Sequence, residues 1–262
     1  MHRVFCTALD VFGEAKFCNM ADSMVAGFAS VLGHSRVAVL GNPRQGDADP
    51  DLAEAILSIA AAYVRNLSSW LRTIQQHPGE QNTMFQKTVD FVFKLGIANI
   101  GCNHRDVAQR SLSLVLAIIR ACRHAEIDFG ALLDVATFYA PYILGQITID
   151  VPRLPTAAAL PKVVSILTEI VLLAESVVKR TMISHDALCS WESIASQRYK
   201  TEILSVLRNW TGPSDQGFDW EPAIEQFIAS KHMQTHDALR RCIQVRIRHL
   251  YETSSATGVG SD

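Results

Sequence analysis

The chain has 262 residues, of which 48% are hydrophobic, and its formal net charge at pH 7 is −2. This apolar content is enough to bury a sizeable core, which excludes bulk disorder. The charge balance lacks the basic surplus typical of nucleic-acid-binding proteins, and no polybasic tract indicates a membrane surface. The six cysteines lie far apart without a CxxC pair, so we expect reduced, mostly buried thiols in an intracellular protein.

The longest apolar stretch, from Ala157 to Val178, is interrupted by three charged residues, Lys162, Glu169 and Glu175. A helix that spans a bilayer needs about 20 predominantly apolar residues. The stretch therefore predicts a buried helix. The N-terminal segment is amphipathic and lacks the apolar run of a secretory signal peptide.

Helical periodicity extends over almost the whole chain, and turn residues divide it into about ten helices. In the first half the predicted helices are Arg3 to Asn19, Ala21 to Gly33, Leu52 to Asn66 with Asp51 as N-cap, Ser69 to Gln76, Asn82 to the turn at Gly101–Asn103, and His104 to His124. A loop over 41–50 separates the second and third of these. The only strand candidates, 36–40 and 147–149, have no obvious partner strand, and we expect neither to form a sheet.

In the second half the predicted helices are Phe129 to Thr148, Thr156 to Thr181, the pair His185 to Gln197 and Tyr199 to Trp210, a helix capped by Asp219 with Pro222 in its first turn, and Asp237 to Thr253 with Thr235 as N-cap. Proline is tolerated in a first turn because its missing N–H has no intrahelical partner there. The small, polar tail 254–262 is predicted to be disordered.

The helix that begins near His104 has apolar residues on two sides, with one row through Leu114, Ile118 and Cys122 and a second through Leu112 and Leu116. A lone surface helix carries one stripe, whereas a helix covered on two sides belongs inside an array. Pair openings near Asn82 and Phe129 are separated by roughly 47 residues, at the upper end of the HEAT-repeat period. The sequence thus predicts an all-α fold, an α-solenoid of HEAT-like antiparallel helix pairs over 1–253; an irregular helical bundle is the alternative.

Several segments together resemble the C-terminal portion of the importin-β superfamily, most closely its transportin-SR and importin-thirteen branch. They are 89–94 (VDFVFK), Asn103–Asp106 opening a helix that continues through 114–119, the proline-containing link 152–155 before 160–170 (LPKVVSILTEI), and the last helix with 239–246 (LRRCIQVR). Members of this superfamily are several times longer, so the resemblance implies a C-terminal fragment, a truncated gene model or a divergent short relative.

The resemblance implies a nuclear transport receptor region that binds protein cargo, mainly for import into the nucleus, and that shuttles between nucleus and cytoplasm. It also implies contacts with nucleoporins and control by the GTPase Ran, although the family's main Ran-binding repeats have no counterpart in this chain. The alternative function is a generic HEAT-repeat scaffold without a transport role. Both alternatives predict a protein-binding chain that is not an enzyme and needs no cofactor, metal, nucleic acid or membrane.

The spacing and context of the candidate catalytic and metal-binding residues argue against each of these motifs. His104–Arg105–Asp106 matches the start of a kinase catalytic loop, but the remaining kinase motifs are absent, so we interpret it as a polar helix start. His232 and His236 are four residues apart, but Gln234 and Thr235 look like a turn between them. The Cys102/His104 and Cys122/His124 pairs lie at opposite ends of one helix about 30 Å long, too far apart to bind one metal ion.

The last helix carries the one candidate contact surface, a basic ridge formed by Arg240, Arg241, Arg246 and Arg248. Two interpretations of this ridge remain open: an ordinary solvated helix face, or a surface for acidic protein partners. In a solenoid the second helix of each pair lines the concave face. On this pairing we expect the last helix, with the helices that begin at His104 and Thr156, to line it.

Overall fold

The computed structural model describes residues 49–65, 92–124, 143–144, 156–181, 185–209, 221–231 and 234–245. Within these ranges the secondary structure is all helical, with no strand. The helices are α1 (Pro50–Arg65), α2 (92–98), α3 (Arg105–His124), α4 (Thr156–Thr181), α5 (His185–Asn209), α6 (Glu221–Ala229) and α7 (234–245), and residues 143–144 are also helical. The all-α class is thus confirmed for the described residues.

Several predicted elements lie outside the described residues. They are the helices over 3–19, 21–33 and 69–76, both strand candidates, the N-cap Asp219 and the tail 254–262. By internal packing the chain divides into two compact units, Met1–Lys162 and Val163–Asp262, with the boundary inside α4.

Helix α1 begins two residues earlier than predicted, because its N-cap is Asp49 and not Asp51. The Asp49 carboxylate accepts a hydrogen bond from the backbone N–H of Leu52 at 3.0 Å, and its backbone C=O accepts one from Ala53 at 3.0 Å. Pro50 then occupies the first helical position, where its fixed φ suits the helix and its missing N–H costs nothing. Asp51 lies in the first turn, where its charge favours the positive end of the helix dipole.

Helix α2 packs closely on α3 at Gly96. A Cβ atom at this position would lie 2.9 Å from Val115 Cγ2 and 3.4 Å from Leu114 Cδ2. Space at this crossing therefore favours glycine over any residue with a side chain. The chain then turns over 99–101, near the predicted end of this helix.

Helix α3 has a wide buried surface. Its buried hydrophobic residues are Val107, Ala108, Leu112, Leu114, Val115, Ile118 and Ile119. At about 100° per residue they cover an arc of about 160°, wider than the single stripe of a surface helix. The predicted wide apolar surface of this helix is buried in part: Leu116 of the second row is half-buried, and the side chain of Cys122 is outside the description.

Helix α4 has the predicted bounds and is buried along its middle. Between Val163 and Ala174 every residue except Ser165 and Leu172 is buried, including Thr168 and Glu169. The Thr168 hydroxyl donates to the backbone C=O of Val164 at 2.8 Å, which satisfies it within the helix. The predicted buried helix is confirmed, and none of the described helices is long and apolar enough to cross a membrane.

Helix α5 is one continuous helix, so the predicted pair His185 to Gln197 and Tyr199 to Trp210 is wrong. The polar residues at the supposed break form contacts one turn apart along a single helix. Arg198 forms an ion pair with Glu202 one turn later, at 3.1 Å, and the Thr201 hydroxyl donates to the backbone C=O of Gln197 at 2.9 Å. No glycine or proline interrupts the segment, so nothing stops the helix there.

Helices α6 and α7 follow one another across a short connection. Pro222 lies in the first turn of α6, as predicted. The described part of α7 starts at Gln234, so Thr235 already lies within the helix and is not its N-cap. The Gln234 N–H donates to the backbone C=O of Lys231 at 3.0 Å, while the Thr235 side chain is completely buried. A buried hydroxyl at this point faces the protein interior.

Candidate protein-contact surface on the C-terminal helices

Helix α7 presents one buried and one exposed face. Its buried residues are Thr235, Ala238, Leu239, Cys242 and Ile243, which follow the i, i+3, i+4, i+7, i+8 spacing of an amphipathic helix. The opposite face exposes Gln234, Asp237, Arg240, Arg241 and Gln244. The apolar stripe therefore fixes which residues of this helix reach solvent.

The described half of the basic ridge is exposed. Arg240 and Arg241 both reach solvent, and the Arg241 guanidinium lies 3.5 Å from the side-chain oxygen of Gln226 on α6. Arg246 and Arg248 lie outside the described residues. Asp237 shares the exposed face with the two arginines, so the described ridge has both signs of charge.

Helix α6 adds acidic groups to the same part of the molecule. Glu221 and Glu225 are exposed on α6, and Glu221 forms an ion pair of 3.5 Å with Arg208 at the end of α5. Both partners of this pair are more than half exposed, so its contribution to stability is small. Exposed charges of this kind influence partner choice and association rate more than the fold.

A buried lysine lies behind this surface. Lys200 on α5 is 2% exposed, and its ammonium donates hydrogen bonds to the backbone C=O of Ile228 at 3.1 Å and of Ser230 at 2.5 Å. It also lies 5.7 Å from the centroid of the Phe227 ring. Burial lowers the pKa of Lys200, and the nearby carboxylate of Glu175 partly opposes that effect.

Sequence reasoning missed Lys200, although a signal for it exists. The buried row of α5 is Ser196, Tyr199, Lys200, Ile203, Leu204 and Leu207, again with helical spacing. A lysine inside such a row is almost never buried unless it has partners. Tyr199, its neighbour, has its phenol pKa raised by burial and by the charge of Glu202, with Arg198 opposing.

The residues of the rejected metal and catalytic motifs are not brought together where they are described. Cys102 is buried whereas His104 is exposed, and the side chains of Cys122 and His124 are outside the description. His236 Nδ1 lies 3.4 Å from the carboxylate of Asp237, and His232 is not among the described residues. Among the described residues no three His, Cys, Asp or Glu side chains are grouped as metal ligands.

The polar start of α3 agrees with the interpretation of His104–Arg105–Asp106 as a helix opening. All three residues are exposed, and Asp106 lies in the first turn of α3. A carboxylate there interacts favourably with the positive end of the helix dipole.

Comparison of the chain with models of known protein families, with curated proteins and with solved structures finds no match in any of the three.

Proposed function

We propose that this chain is a protein-binding array of stacked antiparallel helix pairs and that it serves as the cargo-binding region of a nuclear transport receptor. The observation that carries the array is the position of α3 among its neighbours. The resemblance of 89–119, 152–170 and 239–246 to the importin-β superfamily carries the transport role.

Three other described helices contact α3. The Arg110 side chain binds Glu54 and Ser58 of α1, Gly96 of α2 packs on Val115, and Lys162 of α4 donates to the backbone C=O of Gln109 at 3.1 Å. Lys162 is partly buried at this contact, and burial lowers its pKa. A helix with neighbours on several sides is what an inner position in a stacked array requires.

Such an array binds partners over a broad surface. In this proposal the exposed face of α7, with Arg240 and Arg241, contacts acidic segments of protein cargo. Ran and nucleoporins are further partners that the resemblance implies, with a location shared between nucleus and cytoplasm. Neither role requires a metal or a cofactor.

Proximity labelling in cells tests this function. The chain is fused to a biotin ligase and compared with the double variant R240E/R241E, while R198E serves as the control. Arg198 is also exposed but lies on α5, which is not among the helices expected to line the concave face. Two charge reversals on the contact face should remove most of the cargo labelling, whereas the control should leave it intact.

We expect nuclear import cargo and nucleoporins among the proteins labelled by the wild-type chain and by R198E. A stable set of labelled partners without transport proteins would instead support the generic scaffold. Labelling of cargo that does not change in R240E/R241E would place the contact surface elsewhere on the chain.

A further inference from the structure

We propose that Lys200 is a positioning residue: its buried ammonium fixes the 228–231 turn between α6 and α7 against α5 and so sets how α7 presents Arg240 and Arg241. The link to partner binding rests on the function proposed above. The link from Lys200 to the placement of α7 stands on the contacts alone.

Two backbone groups and one aromatic ring lie around the Lys200 ammonium. Two backbone C=O groups, of Ile228 and Ser230, accept its hydrogen bonds, and the face of the buried Phe227 ring lies 5.7 Å away. The side-chain amide of Gln197, one turn earlier on α5, donates a weaker bond of 3.4 Å to the same Ile228 C=O. Helix α5 therefore holds this turn with two side chains.

The contacts of Lys200 satisfy backbone groups at the C-terminal end of α6. The last C=O groups of a helix have no partner within it, and together they form the negative end of the helix dipole. Helix α6 has no basic residue in its own last turn. Lys200 supplies the missing cation from a neighbouring helix, 28 residues earlier than Ile228 in the chain.

Side-chain hydroxyls connect this turn to the first turn of α7. The Ser230 hydroxyl donates to the backbone C=O of Phe227 at 2.6 Å and lies 3.4 Å from the hydroxyl of Thr235. Thr235 is completely buried in the first turn of α7. Because α7 is a continuous helix from Gln234, the orientation of this first turn determines where Arg240 and Arg241 project two turns later.

The charged surroundings favour this role over a chemical one. The ammonium faces backbone C=O groups, and the carboxylate of Glu175 attracts it from α4. A nucleophilic lysine would need a reacting group within reach, whereas the hydrogen bonds of Lys200 are directed at the backbone of the turn. Its chemistry is that of a helix cap contributed by another helix.

Two buried cysteines provide the test. Cys242 lies on the buried face of α7, and Cys102 lies between α2 and α3; neither is in a disulfide. Alkylation of the folded full chain by N-ethylmaleimide, followed by peptide mass spectrometry, gives a separate rate for each thiol. The rate at Cys242 reports detachment of α7, and the rate at Cys102 reports opening elsewhere.

The variant Lys200→Met keeps the aliphatic stem and removes the ammonium, so the Ser230 C=O loses this donor and the Ile228 C=O keeps only the longer bond from Gln197. We expect alkylation of Cys242 to be about tenfold faster or more, with the rate at Cys102 unchanged. Lys231→Met is the matched control, because Lys231 is an exposed lysine of the same turn; it should change neither rate. Lys200→Arg, which retains a cation, should restore much of the protection of Cys242.

An unchanged rate at Cys242 in Lys200→Met would overturn the proposal. Equal acceleration at Cys102 and Cys242 would also overturn it, since Lys200 would then support the whole fold. Cargo labelling by the same variants separates this inference from the proposed function. Faster alkylation of Cys242 with unaltered labelling would leave the positioning role intact and count against α7 as the contact surface.

Discussion

The close approach of α2 to α3 makes Gly96→Ala an informative substitution. The new methyl group would lie 2.9 Å from Val115 Cγ2 and 3.4 Å from Leu114 Cδ2, and both of those residues are completely buried. Val115 is β-branched, so its χ1 angle is stiff and the methyl cannot turn aside easily. Overpacking costs about 1–3 kcal/mol, while alanine's better helix propensity offsets about 1 kcal/mol.

We therefore expect Gly96→Ala to lower the free energy of unfolding by about 1 kcal/mol, measured by urea denaturation followed by circular dichroism. Ala121→Gly, at a half-exposed position of α3, calibrates the propensity effect in this chain. An increase in stability of about 1 kcal/mol in Gly96→Ala, as propensity alone demands, would refute the close packing.

A double-mutant cycle with Val115→Ala isolates the contact. Val115→Ala alone removes the clashing methyl, leaves a cavity and should cost about 2 kcal/mol. In the double variant the new methyl at position 96 occupies part of that cavity. The two costs should therefore fall short of additivity by about 1–2 kcal/mol, and strictly additive costs would show that the two positions do not touch.

Substitutions at other positions test other contacts. Asp49→Ala removes the N-cap of α1 and should lower the free energy of unfolding by about 1 kcal/mol, whereas Asp51→Ala should cost less, which denaturant titration of both variants measures. Arg110→Ala should cost only about 0.5 kcal/mol, because the Arg110 and Glu54 side chains are 47% and 31% exposed; repeating the measurement in molar salt should shrink that cost further. Burial lowers the pKa of Lys200 in the folded chain. Between that lowered pKa and the ordinary lysine value, the unfolded chain therefore carries more bound protons than the folded chain. The unfolding free energy of the wild type relative to Lys200→Met should consequently rise with pH up to the ordinary lysine value of 10.5, and a flat or falling difference in alkaline urea titrations would contradict this.

Local signals predicted the helices best. The bounds of α4 agree with the prediction because Pro155 disfavours a helix before it and no glycine follows Thr156, although Pro161 lies inside the helix. The start of α1 was misplaced by two residues although the signal was present. Of the two aspartates that flank Pro50, only Asp49 leaves the proline at the first helical position, which is where proline fits.

Long-range contacts contribute to the error in α5. The predicted pair places its break at Arg198, at the end of the polar run 196–198. In the folded chain Ser196 is buried and the amide of Gln197 reaches Ile228, 31 residues later. A polar residue in mid-helix therefore does not indicate a turn when its partner lies on another helix, and no local pattern reveals that partner.

The candidate surface was also predictable only in part. Exposure of Arg240 and Arg241 was predictable, because both fall opposite the apolar residues Leu239 and Ile243 on a helix of regular period. The neighbour of Arg241 was not predictable, since Gln226 belongs to α6 and its approach depends on how the two helices pack.

Lys200 shows how two incomplete local patterns become informative together. A lysine in a buried row lacks a partner on its own helix, and α6 lacks a cation at its own C-terminal end. Neither feature alone identifies the partner of Lys200, because buried lysines bind various groups and many helix ends are solvated. When one helix has a buried lysine and the next has no cation at its C-terminal end, a contact between the two satisfies both. That contact requires the end of the second helix to pack beside the lysine. That constraint places Ile228 and Ser230 next to α5, which is where the two hydrogen bonds of Lys200 hold them.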